Sequence, residues 1–226
     1  MKNAILRTLL YADLFAYPLK KEEIWRWLVL EGGPVSTRRS SRGGGWKVED
    51  GKRKWNMDLE GLLKDKKIRL LNNYYCLSGK ERNIKIRKDR EVWSRKKLAI
   101  ANRAVQILKH IKWIKLIGIT GSLAVKNSDE KDDIDLFFIT SKNRLWLTRG
   151  LVVVLLCLRG LYRRPNKIAN MICPNLFISN DNLVIKDQNL FIAHEICQMR
   201  PIFERENTYH KFMTANFWVK KYLPNA

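Results

Sequence analysis

The sequence predicts a mixed α/β (α+β) chain: a mixed sheet flanked by helices, preceded by a small helical module that ends in a hairpin. Three observations carry this. Apolar residues recur at helical spacing through most of the first half, strand-like runs alternate with helical ones through the second half, and a Gly- and Arg-rich stretch interrupts the first half at residues 31–54. Hydrophobic residues make up 46% of the 226, enough to fill a packed core and to exclude a disordered chain.

In the first helical stretch, residues 3–16, Ile5, Leu9, Ala12 and Phe15 share a stripe that Tyr17-Pro18 terminates. Asp13 interrupts it and no small-residue cleavage site follows, so it reads as an amphipathic helix rather than a signal peptide. A short helix over 20–30 carries Ile24, Trp27 and Leu28. Residues 31–54 then hold Gly32, Gly33, Pro34, Arg38, Arg39, Arg42 and Gly43 to Gly45, the composition of a flexible basic loop suited to polyanions. A third helix over 56–66 follows, with Met57, Leu59, Leu62 and Leu63. Two β-favouring runs, 68–71 and 74–77, flank Asn72-Asn73, whose tolerance of positive φ suits a tight turn. Three helices and a hairpin is an order that resembles winged-helix modules, placing a winged-helix-like domain at 1–80. Residues 81–110 read as a basic linking helix, with Leu98, Ala101, Val105 and Leu108 apolar beneath a solvated face of Lys96, Lys97, Arg103 and Lys109.

Residues 111–226 form the second domain. Strands are expected at 115–120, 134–140 and 171–179, with helices at 143–161, 187–199 and 207–222. The run Leu151 to Leu158, bracketed by Arg149 and Arg159, is far shorter than the ~20 residues of a membrane span and reads as a buried core helix. Trp146, Phe212, Phe217 and Trp218 lie at helical spacing with aliphatics and read as core. The apolar helices near 145–158 and 207–222 also leave room for a protein partner or a homo-oligomer.

Charge narrows the function. Lys+Arg number 44 against 22 Asp+Glu, a net +22, and residues 1–110 hold 27 against 12 of these. An excess of this size repels itself and is best explained by a polyanionic partner, nucleic acid foremost and RNA favoured. Cys76, Cys157, Cys173 and Cys197 show no CxxC pair and no His at ligand spacing, suggesting neither a zinc site nor a disulfide framework. A reducing cytoplasm is the expected compartment.

The chemistry concentrates in residues 117–140, IGITGSLAVKNSDEKDDIDLFFIT. An apolar strand ends at Gly121-Ser122, ten residues intervene, and Asp133-Ile134-Asp135-Leu136 opens a second apolar strand. Gly121 lets backbone approach a ligand closely, and Ser122 offers a hydroxyl and a cap where free N–H groups attract phosphate. Asp133 and Asp135, two apart on a strand, face one side while Ile134 and Leu136 face the core. Adjacent carboxylates on a rigid strand repel unless a cation sits between them, which suits Mg²⁺.

Thr120-Gly121-Ser122 with Asp133-Ile134-Asp135-Leu136 resembles the motif of the DNA polymerase beta nucleotidyltransferase superfamily, and GSLA with DIDLFFIT is similar to its small prokaryotic members. The resemblance covers roughly residues 95–200. It implies a nucleotidyltransferase-type mixed sheet flanked by helices, with Gly121 and Ser122 holding a nucleoside triphosphate, ATP foremost. It implies Asp133 and Asp135 as catalytic residues and ligands of Mg²⁺ or Mn²⁺. The reaction implied is transfer of a nucleoside monophosphate to RNA, protein or a small molecule. It also implies a third carboxylate on a later strand. The corresponding stretch, NMICPNLFIS, holds Asn175 and no acid, while Asp181, Asp187 and Glu195 lie downstream. The alternative is a nucleic-acid-binding regulator whose domain senses nucleotides without efficient transfer. His194-Glu195 reads poorly as an acid–base pair, since neighbours in a helix point apart.

Overall fold

A computed structural model describes residues 1–30 and 48–226. In chain order these form α1 Lys2–Asp13, α2 Lys21–Arg26, α3 Val48–Lys64, β1 Ile68–Leu71, β2 Tyr74–Leu77 and the long α4 Asn83–Leu108. There follow β3 Ile114–Ile119, α5 Gly121–Ala124, β4 Ile134–Thr140, α6 Leu145–Leu158 and β5 Ile172–Ser179. The chain closes with α7 Leu190–Gln198, β6 Arg200–Glu204, α8 Thr208–Ala215 and a 3₁₀ turn, Phe217–Lys221. The class is α+β, as expected. Most of the expected basic loop lies outside the described residues, and from Val48 the chain is already helical. Among the described residues no helix is long and apolar enough to cross a membrane.

The described chain divides into two compact units. The first joins Met1–Lys88 to Asn189–His194 and Trp218–Ala226; the second is Asp89–Gln188 with Glu195–Phe217. The chain passes from the first unit to the second within α4, after Lys88, and two late segments belong with the first unit.

In the first unit Ile5, Leu9, Ile24, Leu28, Leu59 and Leu62 are buried. Met57 is exposed, since the apolar stripe of α3 runs through Trp55, Leu59 and Leu62 instead. β1 and β2 pair antiparallel around Asn72-Asn73, both at positive φ. Leu19 adds a short bridge to Tyr75 on the other edge of β2. Arg87, almost fully buried, donates 2.7 and 2.8 Å hydrogen bonds to the two Glu23 carboxylate oxygens and lies over the rings of Tyr17 and Tyr74. His194 stacks on Tyr11 with 4.3 Å between ring centroids, and burial pushes its pKa down to about 4.

The second unit is a four-stranded sheet in the order β5-β4-β3-β6, with β4 and β5 parallel and the other pairs antiparallel. Both faces are covered, which explains why Ile134 to Thr140 reads as an almost unbroken apolar run. Ile117, Ile119, Leu136 and Phe138 join one core, where Phe138 stacks on Phe177, while Phe137 meets Phe212. Gly118 is bare for a steric reason: a Cβ there would lie 2.6 Å from Met199 Sδ.

Four expectations need correction. β6 falls within a stretch not expected to be a strand; its Arg-Pro start carries little strand propensity, and pairing with β3 imposes the conformation. The expected helix over 207–222 breaks at Asn216, whose side chain bonds Leu183 O, Phe212 O and Ile185 N–H. α6 is not a buried helix. Thr148, Val152 and Leu156 face inward, whereas Trp146 is 80% exposed and Leu147, Val154 and Leu158 are exposed too; Phe217 is likewise 69% exposed. A single helix layer on a sheet has only one face to bury, and among the described residues nothing covers the outer one. Lys97, expected on a solvated face, is fully buried.

Candidate active site

The antiparallel pairing of β3 with β4 sets the geometry. It places the end of β3 beside the start of β4, and Thr120 N–H donates to Asp135 O at 3.2 Å. The next residue, Gly121, sits at φ +63°, and a Cβ there would lie 3.2 Å from Asp135 Oδ2. Both properties of glycine are thus used, the left-handed backbone and the close approach. Asp133 and Asp135 flank the fully buried Ile134, so both carboxylates stay on the half-open side of the strand.

Ser122 does not cap α5. Its hydroxyl donates to Asp132 Oδ2 at 3.2 Å, and the N-cap position is Thr120 without a side-chain bond. Asp132 organises the loop: the same oxygen also accepts from Ser128 Oγ and from Asp129 N–H at 2.8 Å. From beneath, the buried Lys97 ammonium donates to Glu130 O at 3.1 Å, to Asp132 O at 2.5 Å and to Asn170 Oδ1 at 3.1 Å. The acidic segment that precedes Asp133 is therefore clamped from inside.

Two groups that the sequence did not assign, Cys173 and Arg163, and one of the three downstream acids, Glu195, complete the site. The β4–β5 register sets Cys173 directly opposite Asp135, and the donor atoms of Asp133, Asp135 and Cys173 all lie within 4.8 Å of one another. Asn175, which stands on the strand expected to carry a third acid, is exposed where that register slips, between Pro174 and Leu176. Arg163 Nη1 lies 3.0 Å from Asp133 Oδ2 and donates to Cys173 Sγ at 3.7 Å. Glu195, on α7, accepts a 3.2 Å hydrogen bond from Gly121 N–H, occupying the amide expected to face phosphate. Of the other downstream acids, Asp181 bonds Ser179 and lies 3.9 Å from Lys142.

The electrostatics are those of under-neutralised anions. Burial, then the charge of Asp133, pushes the Asp135 carboxyl above its ordinary value, against the opposing Cys173 hydrogen bond and the charge of Arg163. Burial likewise raises Glu195, with Asp135 adding to the effect and the Gly121 N–H opposing it. Burial raises the Cys173 thiol, the Arg163 bond opposes, and the charges of Asp135 and Asp133 raise it further. A half-buried Asp135 that resists ionisation, with the Asp133 carboxylate on the same side of the strand, fits a divalent cation. Two oxygen donors and one sulfur within that span can share a single ion at bond lengths of about 2.0–2.3 Å.

No protein-family model matches the chain. No curated protein matches it either. Among solved structures, the chain is similar to one in a crystal structure of a toxin-antitoxin with AMP-PNP. The TM-score is 0.33 and the identity 11%, over 50% of this chain and 81% of that one. A likeness at that TM-score carries no argument, so the functional reading rests on the residues.

Proposed function

We propose that the second unit is a divalent-metal-dependent nucleotidyltransferase. It takes a nucleoside triphosphate, ATP foremost, and transfers the nucleoside monophosphate to an acceptor hydroxyl on nucleic acid, with RNA favoured, or on a protein or small molecule. One observation carries this reading: the Gly121 bend lies against Asp135, with Asp133 on the same side of β4. In the transfer, the acceptor oxygen bonds to the α-phosphorus, the α–β phosphoanhydride bond breaks and pyrophosphate leaves. The hydroxyl proton passes to a Glu195 carboxylate oxygen, whose burial beside Asp135 keeps it more basic than an ordinary carboxylate. For that, Glu195 gives up the Gly121 N–H, which then faces the triphosphate with the Ser122 hydroxyl. Asp133 and Asp135 would hold a divalent metal ion, which would supply charge neutralisation at the α-phosphate and the leaving pyrophosphate. We read the first unit as winged-helix-like, on its three helices and hairpin, and as a nucleic-acid-binding module on its basic charge.

A second reading has two observations in its favour. β5 presents Cys173 rather than an acid, and Arg163 already pairs with Asp133, as suits a nucleotide-sensing regulator with impaired transfer. The test has two parts. ATP is titrated calorimetrically with Mg²⁺, Mn²⁺ or Co²⁺ into wild type and the Asp133→Ala/Asp135→Ala variant, and α-labelled triphosphates are incubated with the same ions, the protein and a pool of RNA and proteins. Binding lost in the variant together with label on an acceptor supports transfer. Salt-sensitive RNA binding without label supports the regulator, and equal nucleotide binding by both proteins ends the metal-site assignment.

A further inference from the structure

The donor set contains a sulfur, and that bears on which ion the centre takes. Among the described residues, Cys173 is the cysteine that stands with two carboxylates; Cys76 and Cys197 are buried. Its position comes from strand pairing rather than from local spacing, since Asp135 and Cys173 are register partners on parallel β4 and β5 and so project to the same side. The surroundings of the thiol are ionic, with two carboxylates and the Arg163 guanidinium 3.7 Å away, so it does not serve as an apolar filler. The guanidinium marks the point to which the cluster draws a cation. Its side chain is 45% exposed and can swing away, while its backbone stays pinned by Arg163 N–H to Ile172 O.

We infer that Cys173 is the third metal donor and that it makes the centre selective for borderline-soft divalent ions of the zinc and cobalt class over Mg²⁺. This rests on the Asp133/Asp135 reading above. On binding, the S–H bond breaks, a sulfur–metal bond forms and the proton goes to solvent. Thiolate favours ions of that class, whereas Mg²⁺ demands oxygen ligands.

The test is a Co²⁺ titration of the full chain followed by near-ultraviolet absorption, with wild type, Cys173→Ser, Cys173→Asp and Asp133→Ala/Asp135→Ala. The expected result is a thiolate-to-cobalt charge-transfer band in wild type that is absent from both Cys173 variants. Co²⁺ affinity should fall at least about tenfold in Cys173→Ser, and excess Mg²⁺ should displace Co²⁺ from Cys173→Asp but not from wild type. Co²⁺ binding by wild type without the band overturns the role of Cys173 and leaves the acidic pair standing. Equal binding by wild type and the double alanine variant overturns the acidic pair itself. Should a variant misfold, the wild type decides alone: Co²⁺ should protect Cys173 from alkylation, read by peptide mass, and full alkylation at saturating Co²⁺ refutes the inference.

Discussion

Replacing Lys97 with Met tests whether the acidic segment is held from beneath. The substitution keeps an unbranched side chain one atom shorter and removes its charge. Three acceptors lose their donor: Glu130 O, Asp132 O and Asn170 Oδ1. A buried acceptor left unpaired costs about 1–3 kcal/mol. Glu130 is itself exposed, so water can replace the ammonium there, while the Asp132 carbonyl has the shortest of the three bonds and loses most. Allowing for that relief, the loss is about 3 kcal/mol. For a chain of this size, that lowers the melting temperature by about 6–12 °C. Lys96→Met, at an exposed neighbouring position, is the control and should cost no more than about 1 kcal/mol, the loss of its contact over the Trp93 ring. Thermal melts of the full chain followed by circular dichroism read the stability, and calorimetry with Mn²⁺ reads the site, which should bind more weakly once Asp133 is no longer positioned. A Lys97→Met protein that melts with the control and binds Mn²⁺ as wild type does would refute the clamp.

Three further predictions follow from the same structure. Asp135→Asn should raise the melting temperature of the metal-free protein by a few degrees, about 1 kcal/mol of relieved repulsion, while abolishing divalent-ion binding; an unchanged titration contradicts it. His194 is neutral when folded, with a pKa of about 4 against an unperturbed 6.5, so the unfolded chain binds the extra proton between those values. Stability from this group is therefore full above pH 6.5 and lost as pH falls toward 4, by about 3 kcal/mol, and urea melts of His194→Gln across that range should lack the slope. Gly118→Ala should cost about 1–2 kcal/mol by driving a Cβ into Met199, and Met199→Ala in the same chain should recover part of it, measured by urea midpoints; independent, additive losses would show that the contact is not the cause.

What the sequence made legible was local. The Asn72-Asn73 turn, the bend at Gly121 after an apolar strand and the alternation Asp133-Ile134-Asp135-Leu136 are each specified by neighbouring residues and survive in the structure, although Ser122 bonds Asp132 instead of capping the helix. Cys173 and Glu195 were not legible as cluster members. The first depends on which strand pairs with β4 and in which register, the second on where α7 lies against the Gly121 bend. Lys97 misleads for a related reason: a lysine in a basic helix looks solvated until the partners above it, 33 to 73 residues along the chain, are known. The exposed side of α6 reads as core because apolar residues occupy nearly every turn, and composition does not say how many layers will cover a helix.

The placement of the bend beside the acids follows from topology before it follows from chemistry. An antiparallel β3–β4 pair brings the residue after β3 beside the start of β4 whatever its identity, so proximity alone would occur in many sheets of this kind. What topology leaves open is which residues stand there. A residue with a side chain at 121 would press on the Asp135 carboxylate and resist φ +63°; glycine does neither. Apolar residues at 133 and 135 would suit the half-buried strand better than two carboxylates, the second of which burial already holds back from ionising. Fold stability therefore accounts for Gly121 but not for the two acids. They are a cost to the metal-free fold that a bound cation would offset, which is why the stabilising direction of Asp135→Asn bears on function more directly than its loss of binding does.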